Sequence, residues 1–311
     1  MREPASVFVL GKGTVGGTLL DRLVRQPRPE IRVVGIADSR RARFGSLTSR
    51  WRQALAAADD RLDLARLSRL PKPILVDCTA ADDMAPLYQR ALAAGVHVVS
   101  ANKKPFAGPA RVERAIHAAA RAGGVVVAYE TTVGAALPVL GPIADLVRVG
   151  DDVHRIEACL SGTLGYLAGC LERGQPLAAA VAEAKALGYT EPDPKDDLSG
   201  ADVARKALIL CRALGRAVEP EDVELVPFAP VGRRRRGRVL RYLATIERRK
   251  ITVGPCWLHP SHPAASLRGT DSLVVISSRL YSPQPLRIQG PGAGGAVTAG
   301  GVLADVLRVA I

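Results

Sequence analysis

A lysine preceded by several carboxylates marks the stretch LGYTEPDPKDDLSGADVARK, which covers residues 187–206. Asp202 and Lys206 are four positions apart, so both would lie on one face of a helix. The loop before that helix carries two prolines, which restrict its shape, and further carboxylates. Those carboxylates belong to Glu191, Asp196 and Asp197. Carboxylates bind ammonium groups, and a partly buried lysine between them can exchange a proton with a substrate oxygen. The stretch therefore indicates a site for a small amino-acid-like substrate.

The same stretch also has a purely structural interpretation. Ser199 and Asp202 match the S-x-x-[DE] pattern of a capping box, and the Asp202–Lys206 pair could simply stabilise the surface of a helix. Spacing alone favours this interpretation. The two prolines and a second lysine favour the catalytic one, because Lys103, in SANKKPFAG, directly follows a predicted parallel strand. Ligands bind at the carboxyl ends of such strands in doubly wound sheets.

A glycine-rich turn follows the first predicted strand. The motif GKGTVGG, residues 11–17, contains the pattern G-x-G-x-x-G between a strand and a helix. In that context the first glycine forms the turn, the second lets the backbone approach a pyrophosphate, and the third allows close helix packing. The predicted cofactor-binding residues of the motif are Gly11, Gly13, Thr14, Val15 and Gly16. The motif therefore predicts a dinucleotide site.

Two signals about the cofactor conflict at the end of the second predicted strand, IRVVGIAD. Asp38 lies 22 positions after Gly16 and predicts an acceptor for the ribose hydroxyls, as in NAD sites. Arg40 and Arg41 follow at once and could bind the 2′-phosphate of NADP. The pattern favours NAD only slightly and leaves both cofactors open. A solvated loop is the structural alternative for the two arginines.

The order of predicted elements divides the chain into two domains. Strands alternate with helices from SVFVL to VVVAYE, with a helical, charged stretch at 49–70, which predicts an α/β fold with a Rossmann-type doubly wound parallel sheet. The second domain is predicted to be α+β, with largely antiparallel strands and a long helix at 200–214. The predicted dinucleotide-binding domain covers 1–136 and is completed by the C-terminal segment 291–311. Residues 137–290 are predicted to form the substrate-binding and dimerisation domain.

Composition narrows the class of protein. Of the 311 residues, 48% are apolar and 23% charged, as in ordinary soluble globular proteins. The net charge of +13 raises the question of a polyanionic partner, but the basic residues are scattered. The one dense run, at 233–236, lacks aromatic neighbours for base stacking. Neither a nucleic-acid nor a membrane partner is therefore expected.

The cysteines and the N-terminus bear on the cellular compartment. The five cysteines form no CxxC pair, so reduced thiols are expected rather than disulfides or a zinc site. The N-terminus lacks the apolar stretch of a signal peptide. No segment approaches about 18 uninterrupted apolar residues, the length of a membrane span. These features predict a cytoplasmic protein.

Several stretches together resemble homoserine dehydrogenase, and especially the dehydrogenase part of the bifunctional aspartokinase-homoserine dehydrogenases. The matching stretches are GKGTVGG, LVDCTA, HVVSANKKPFAG, YETTVGAALPVL, LSGTLGYL, LGYTEPDPKDDLSGADVARK, GRVLRY and GAGGAVTAGGVLADVLR. They run from the first strand to the last helix. The resemblance implies interconversion of L-homoserine and L-aspartate 4-semialdehyde with NAD or NADP, in the biosynthesis of threonine, methionine and isoleucine. It also implies a homodimer formed through the second domain.

The resemblance further implies roles for individual residues. Lys206 matches the catalytic proton donor of the family, and Lys103 matches a second lysine that approaches both nicotinamide and substrate. Glu191 and Asp202 match residues that hold the substrate, chiefly through its ammonium group. Asp196 and Asp197 match acidic neighbours that help shape the site. Cofactor contacts are matched by Thr79, Gly188 and Gly294. A structural site for Na⁺ or K⁺ is matched by Glu130 and the main-chain oxygens of Val133, Ala135 and Leu137.

Two departures from the family pattern stand out. Lys12 lies between the first two glycines, where many relatives carry a neutral residue, and GAGGAV replaces a turn of the GAGNDV type. No kinase stretch precedes the match and no ACT-type stretch follows it. Feedback control by threonine through such a domain is therefore not expected.

Three alternatives stay open at this point. Aspartate-semialdehyde dehydrogenase would share the cofactor but needs a nucleophilic cysteine, and Cys78 lies among apolar strand residues. A same-fold enzyme could act on a substituted homoserine or a related amino aldehyde. A catalytically idle relative could use its positive charge to bind nucleic acid or an acidic partner, although every polar position that the chemistry needs is filled.

Overall fold

The computed structural model describes residues 3–190, 193–229 and 235–311. Glu191, a predicted substrate-binding residue, and two arginines of the basic run lie outside these ranges. The chain divides into two compact units, one formed by Met1–Ala136 with Gly294–Ile311 and the other by Leu137–Ala293. Each unit contains one six-stranded sheet.

The sheet of the first unit has the doubly wound strand order β3-β2-β1-β4-β5-β6. Its strands are β1 (Ala5–Leu10), β2 (Ile31–Ala37), β3 (Ala42–Phe44), β4 (Pro73–Asp77), β5 (His97–Ser100) and β6 (Val127–Ala128). All neighbours pair in parallel except β2 and β3. Every residue of β1 and β4 is buried, as expected for strands covered on both faces. The strand order reverses at β1 and β4, where ligands bind beyond the carboxyl ends.

Helices cover this sheet on both faces. They are α1 (Thr14–Arg25), α2 (Trp51–Ala56), α3 (Leu64–Ser68), α4 (Ala85–Ala93), α5 (Lys104–Ala107), α6 (Ala110–Ala122), α7 (Thr131–Gly134) and, from the C-terminus, α13 (Gly295–Ala310). Leu19, Leu20 and Leu23 of α1 join a core with Val302 and Val306 of α13. This packing explains why the C-terminal segment belongs to the first unit.

The stretch at 49–70, predicted to be helical, is helical only in part. Two short helices, α2 and α3, occupy it, separated by residues 57–63. The side chain of Asp63 accepts a hydrogen bond from the backbone N–H of Arg66 at 3.0 Å and so caps α3. The carbonyl of Asp60 accepts from the N–H of Ala42 beside β3. The cap from Asp63 and the hydrogen bond from Ala42 to Asp60 therefore divide the stretch into two helices.

The second unit has the strand order β12-β11-β7-β9-β10-β8. Its strands are β7 (Val153–Cys159), β8 (Val223–Leu225), β9 (Val239–Glu247), β10 (Ile251–Leu258), β11 (Asp271–Ser278) and β12 (Leu286–Pro291). Its helices are α8 (Leu140–Arg148), α9 (Gly162–Glu172), α10 (Leu177–Ala186), α11 (Pro194–Leu198) and α12 (Ala201–Ala213). All strand pairs are antiparallel except β8 with β10, and β8 itself was not predicted. The predicted fold class, a doubly wound sheet with a second α+β unit, is confirmed.

Among the described helices, none has both the length and the apolar composition that crossing a membrane requires.

Candidate active site

The glycine-rich turn after β1 is held by two contacts that exclude side chains. Gly11 has a φ of +93°, and a Cβ there would lie 2.9 Å from the backbone of Cys78. A Cβ at Gly16 would lie 2.0 Å from the carbonyl oxygen of Gly11. At Gly13, by contrast, no described atom lies within 4 Å of a Cβ position. The turn is therefore closely packed at Gly11 and Gly16 and open at Gly13. A pyrophosphate needs such an open backbone position at a helix N-terminus.

A second helix begins beside this turn. Gly13 is the N-cap of α1, with Thr14 and Val15 in its first turn, and Gly294 is the N-cap of α13. A Cβ at Gly295 would lie 2.5 Å from the Cγ2 atom of Thr14, so the two helix N-termini adjoin each other. Helix N-termini carry partial positive charge and unsatisfied N–H groups. Two of them side by side favour an anionic ligand.

Asp38 follows β2 and lines a cavity of about 1070 Å³ in the first unit. Its Oδ1 atom accepts the backbone N–H groups of Arg40 and Arg41, both at 2.9 Å. Its Oδ2 atom lies 2.6 Å from Nζ of Lys12. The hydrogen bond from Lys12, followed by those from the two amides, lowers the pKa of Asp38 to about 2. Asp38 is therefore an ionised carboxylate with a bound counterion.

A buried carboxylate, Asp77, organises the turns after β4 and β5. It is fully buried, and its Oδ1 atom accepts the N–H of Thr79 at 2.7 Å. The hydroxyl of Tyr88 donates to its Oδ2 atom and lies 2.7 Å from Oγ of Ser100. Burial, and secondarily the charge of Asp77, raises the pKa of Tyr88 well above its ordinary value, so the hydroxyl stays protonated. The network fixes Thr79, a predicted cofactor contact.

The two adjacent lysines in the turn after β5, Lys103 and Lys104, lie in different surroundings. Asn102 is buried, and its amide donates to the carbonyl of Ala81 at 2.8 Å. Lys104 reaches the carbonyl of Ala80 at 2.7 Å and the carboxylate of Asp82 at 2.7 Å. Lys104 thus fastens this turn to the turn after β4. Lys103, the predicted catalytic residue, is half-buried at the N-cap of α5.

Glu130 lies at the start of α7 rather than at a strand end, and it is 8% exposed. Its place at the end of the predicted strand VVVAYE would by itself indicate an ordinary surface or salt-bridged carboxylate. Its backbone N–H donates to the carboxylate of Asp305 at 3.1 Å, and burial, reinforced by the charge of Glu130, raises the pKa of Asp305 to about 6. After α7 the chain turns sharply at Ala135, with φ 55° and ψ −102°. Of the other residues matched to a cation site, Val133 is buried in α7 and Leu137 begins the second unit.

In the second unit, Lys206 is a buried ammonium group on α12. Its side chain is 11% exposed, and its Nζ atom lies 2.9 Å from Oδ2 of Asp202, one helical turn earlier. Nζ also donates to the carbonyl oxygen of Leu160 at 2.7 Å. Leu160 directly follows β7 and precedes α9, whose N-cap is Ser161. The end of β7 therefore supplies a partner that the local sequence around Lys206 does not reveal.

The predicted capping box of Ser199 and Asp202 is wrong. The N-cap of α12 is Gly200, with a φ of +72° and no side-chain cap. Ser199 instead donates to the carbonyl of Asp196 at 2.6 Å and accepts from the N–H of Ala201 at 3.2 Å. Only glycine fits between α11 and α12, because a Cβ at Gly200 would lie 1.8 Å from the hydroxyl oxygen of Tyr242. Asp202 is thus available to Lys206 rather than to a cap.

The remaining predicted residues of the second unit lie on either side of the undescribed pair 191–192. Asp196 and Asp197 are in the first turn of α11, whose N-cap is Asp193. Gly188 follows α10 with a φ of +70° and is exposed. α11 packs against both α9 and α12, so it is anchored close to the helix that carries Lys206.

Cys78 and Cys159 do not have the properties of nucleophiles. Burial, with a smaller contribution from Asp77, raises the pKa of Cys78 to about 12. Burial also raises the pKa of Cys159 to about 12. Since the thiolate is the reactive form, neither thiol is suited to attack an aldehyde near neutral pH. This weakens the alternative that requires a catalytic cysteine.

Comparison with known proteins identifies the family. Residues 138–307 match the family model described as homoserine dehydrogenase, and residues 11–130 match the model of the homoserine dehydrogenase NAD-binding domain. The chain belongs to the homoserine dehydrogenase family. The resemblance seen in the sequence motifs is thereby confirmed.

Three relatives illustrate the family. A bifunctional aspartokinase/homoserine dehydrogenase 1 of Arabidopsis thaliana is 35% identical over 99% of this chain, which spans 39% of that relative. A homoserine dehydrogenase of Emericella nidulans is 33% identical, with 99% of each chain covered. The structure of a hyperthermophilic archaeal homoserine dehydrogenase in complex with NADPH matches with a TM-score of 0.83 and 27% identity, covering 98% of this chain and 97% of that one. The chain thus spans about two fifths of the length of the bifunctional relatives.

The contrast between Gly11 and Gly13 is testable. We expect Gly13→Ala to fold with unchanged stability, because the added methyl meets no described atom, yet to bind NADPH at least about tenfold more weakly. Gly11→Ala should instead lower the free energy of unfolding by about 1–3 kcal/mol, through its positive φ and its contact with Cys78. Chemical denaturation and fluorescence titration with NADPH measure the two effects. Full NADPH affinity in Gly13→Ala would contradict the assignment of this turn.

Proposed function

We propose that this chain is an NAD(P)-dependent enzyme that interconverts L-homoserine and L-aspartate 4-semialdehyde, on the route to threonine, methionine and isoleucine. The observation that carries the proposal is the buried ammonium of Lys206, which lies against Asp202 and the carbonyl of Leu160. In a member of the homoserine dehydrogenase family, this group has the chemistry of a proton donor to a carbonyl oxygen.

The first unit supports binding of a nicotinamide dinucleotide. The tight turn beneath Gly13, the two adjoining helix N-termini and the cavity beside Asp38 fit a pyrophosphate with an adenosine. The bound cofactor would supply or accept the hydride of the reaction. The NADPH complex of the archaeal relative agrees with this assignment. The residues proposed to bind the cofactor are Gly11, Gly13, Thr14, Val15, Gly16, Asp38, Arg40, Thr79, Lys103, Gly188 and Gly294.

Lys206 would move the proton. An ammonium group has three N–H donors, and the described residues accept two from Lys206, which leaves one for a substrate oxygen. In the reductive direction the aldehyde oxygen gains negative charge, and Nζ donates its proton to it. In the oxidative direction neutral Nζ takes the proton from the hydroxyl of homoserine. Asp202, 2.9 Å from Nζ, holds the ammonium group in position for this exchange.

The acidic residues of the second unit would bind the other end of the substrate. Asp202 is 42% exposed, so its carboxylate can contact a ligand as well as Lys206. Asp196 and Asp197 add negative charge on α11, and Glu191 is proposed to join them from the preceding loop. The charges suit the ammonium group that both homoserine and aspartate semialdehyde carry. Lys103, half-buried at its turn, is proposed to help hold the reacting end.

A monovalent cation, Na⁺ or K⁺, is proposed to bind the carboxylate of Glu130 and the main-chain oxygens of Val133, Ala135 and Leu137. Two buried carboxylates, Glu130 and Asp305, lie in the first unit, and Arg308 pairs with Asp305 at 2.7 Å. A carboxylate and main-chain carbonyls are the oxygen ligands that such a cation takes.

A homodimer is also proposed, formed through the second unit, with no nucleic-acid or membrane partner. Light scattering should then give a mass of two 32.8-kDa chains. A mass of one chain at micromolar concentration would contradict the dimer.

The alternative functions give different outcomes. A same-fold enzyme for a substituted homoserine would turn over that substrate better than L-homoserine, and an idle binding protein would turn over neither.

The role of Lys206 is tested with a matched pair of lysines. We expect Lys206→Met to lower kcat for homoserine oxidation about 10²–10⁴-fold, because the proton acceptor is lost. Lys185→Met removes an exposed lysine from the last turn of α10 and should leave kcat unchanged. Cofactor affinity, measured by fluorescence, should be the same in both variants. Near-normal turnover by folded Lys206→Met would exclude the proposed mechanism.

The proposed cation is tested by thermal unfolding at constant ionic strength. NaCl or KCl should raise the melting temperature by about 2–4 °C relative to tetramethylammonium chloride, since a ligand of the folded state stabilises it. Glu130→Gln should abolish that difference. Glu224→Gln, at an exposed carboxylate, should retain it. Equal melting temperatures of the unsubstituted chain in all three salts would argue against the site.

A further inference from the structure

Lys12 is the residue of the glycine-rich turn that the proposed function leaves without a role. It stands between Gly11 and Gly13, and its side chain is 53% exposed. Its Nζ atom nevertheless lies 2.6 Å from Oδ2 of Asp38, which is only 15% exposed. The residue at this position of the motif therefore contacts the residue that selects the adenosine ribose.

We infer that Lys12 acts as the counterion of Asp38 and so sets the cofactor preference of this chain toward NADP(H) over NAD(H). The inference rests on the proposed dinucleotide site, and it deepens that proposal by naming the cofactor. Lys12 is a specificity-determining residue in this account, not a catalytic one.

The hydrogen bonds of Asp38 give the physical reason. In a site for NAD, the carboxylate after the second strand accepts hydrogen bonds from the ribose hydroxyls. Here Oδ1 already accepts two backbone N–H groups, and Oδ2 faces the ammonium of Lys12. A ribose hydroxyl would have to compete with a charge-assisted contact for Oδ2. The carboxylate oxygens that would accept the ribose hydroxyls of NAD thus already have other partners.

The same contact removes the obstacle to NADP. An unpaired Asp38 would repel a 2′-phosphate, whereas the pair with Lys12 carries no net charge. Four arginines line the cavity beside Asp38, namely Arg40, Arg41, Arg61 and Arg90. Its other acidic lining residues are Asp63, which caps α3, and Asp83. With Lys12 included, the basic groups outnumber the acidic ones by five to three. This balance fits a phosphate better than a hydroxyl.

Arg40 is the arginine best suited to assist Lys12. It is exposed at the turn, and its backbone N–H is already fixed by Asp38 at 2.9 Å. Arg41 is less suited, because its guanidinium donates to the carbonyl of Ala56. The turn thus offers one exposed guanidinium and one ammonium to the same anion.

A different role for Lys12 gives a different outcome. If Lys12 bound the pyrophosphate instead, it would contact a group that NAD and NADP share. Its removal would then weaken both cofactors equally. The comparison of ligands with and without the 2′-phosphate therefore separates the two roles.

The experiment uses cofactor fragments, so that it does not depend on turnover. Isothermal titration of the full chain with 2′,5′-ADP and with 5′-AMP compares the two ribose forms directly. The unsubstituted chain should bind 2′,5′-ADP at least about tenfold more tightly. Lys12→Ala should weaken 2′,5′-ADP about tenfold or more and leave 5′-AMP unchanged or stronger. Asp38→Asn should keep the preference for 2′,5′-ADP, since it removes the repulsive charge and frees Lys12.

Arg32→Ala serves as the control. It removes one exposed positive charge from β2 without touching the cavity beside Asp38, and it should change neither affinity. Equal weakening of both fragments by Lys12→Ala, or tighter binding of 5′-AMP by the unsubstituted chain, would overturn the inference. A chain that binds the fragments as expected but does not oxidise homoserine would contradict the proposed function alone.

Discussion

The first unit depends on the hydrogen bonding of one buried charge, the carboxylate of Asp77 at the end of β4. A fully buried carboxylate must be satisfied by donors, because leaving it unpaired would cost several kcal/mol. The donors come from three separate segments: the N–H of Thr79, the hydroxyl of Tyr88 on α4 and, at 3.5 Å, the amide of Asn102. The requirement to satisfy Asp77 therefore fixes the turns after β4 and β5 in one geometry. Those turns carry Thr79 and Lys103, so the positions of proposed cofactor and substrate contacts follow from it.

In the second unit the buried charged group that needs hydrogen-bond partners is an ammonium, that of Lys206. Lys206 is buried, and its ammonium is satisfied by Asp202 on its own helix and by the carbonyl of Leu160 at the end of β7. The helix that carries both Asp202 and Lys206 begins at Gly200, where a Cβ would lie 1.8 Å from the hydroxyl oxygen of Tyr242. The described residues accept two of its three donors, and the third is the one proposed to serve the substrate. The stability requirement and the proposed chemistry are served by the same contacts.

Local patterns in the sequence predicted the parts of the molecule that local physics determines. Three features could be predicted because each depends on neighbouring residues. They are the strand, glycine turn and helix around Gly11, the alternation of strands and helices, and the i, i+4 spacing of Asp202 and Lys206. Contacts between distant segments were not. The pairing of Glu130 with Asp305 joins residues 175 positions apart, and that of Lys206 with Leu160 joins residues 46 apart. The predicted capping box was wrong for a related reason. The N-cap of α12 is Gly200, which packs against the hydroxyl of Tyr242, a residue distant in the sequence.

The proposed reaction moves a hydride between the hydroxyl-bearing carbon of homoserine and a nicotinamide cofactor. The most direct test supplies L-homoserine in which deuterium replaces both hydrogens of that carbon, with NADP⁺ or NAD⁺, and determines the mass of the reduced cofactor. Reduced cofactor that carries one deuterium from the substrate is the expected product of the proposed reaction. Reduced cofactor without the label, or no reduction by folded protein that binds the cofactor, would contradict it.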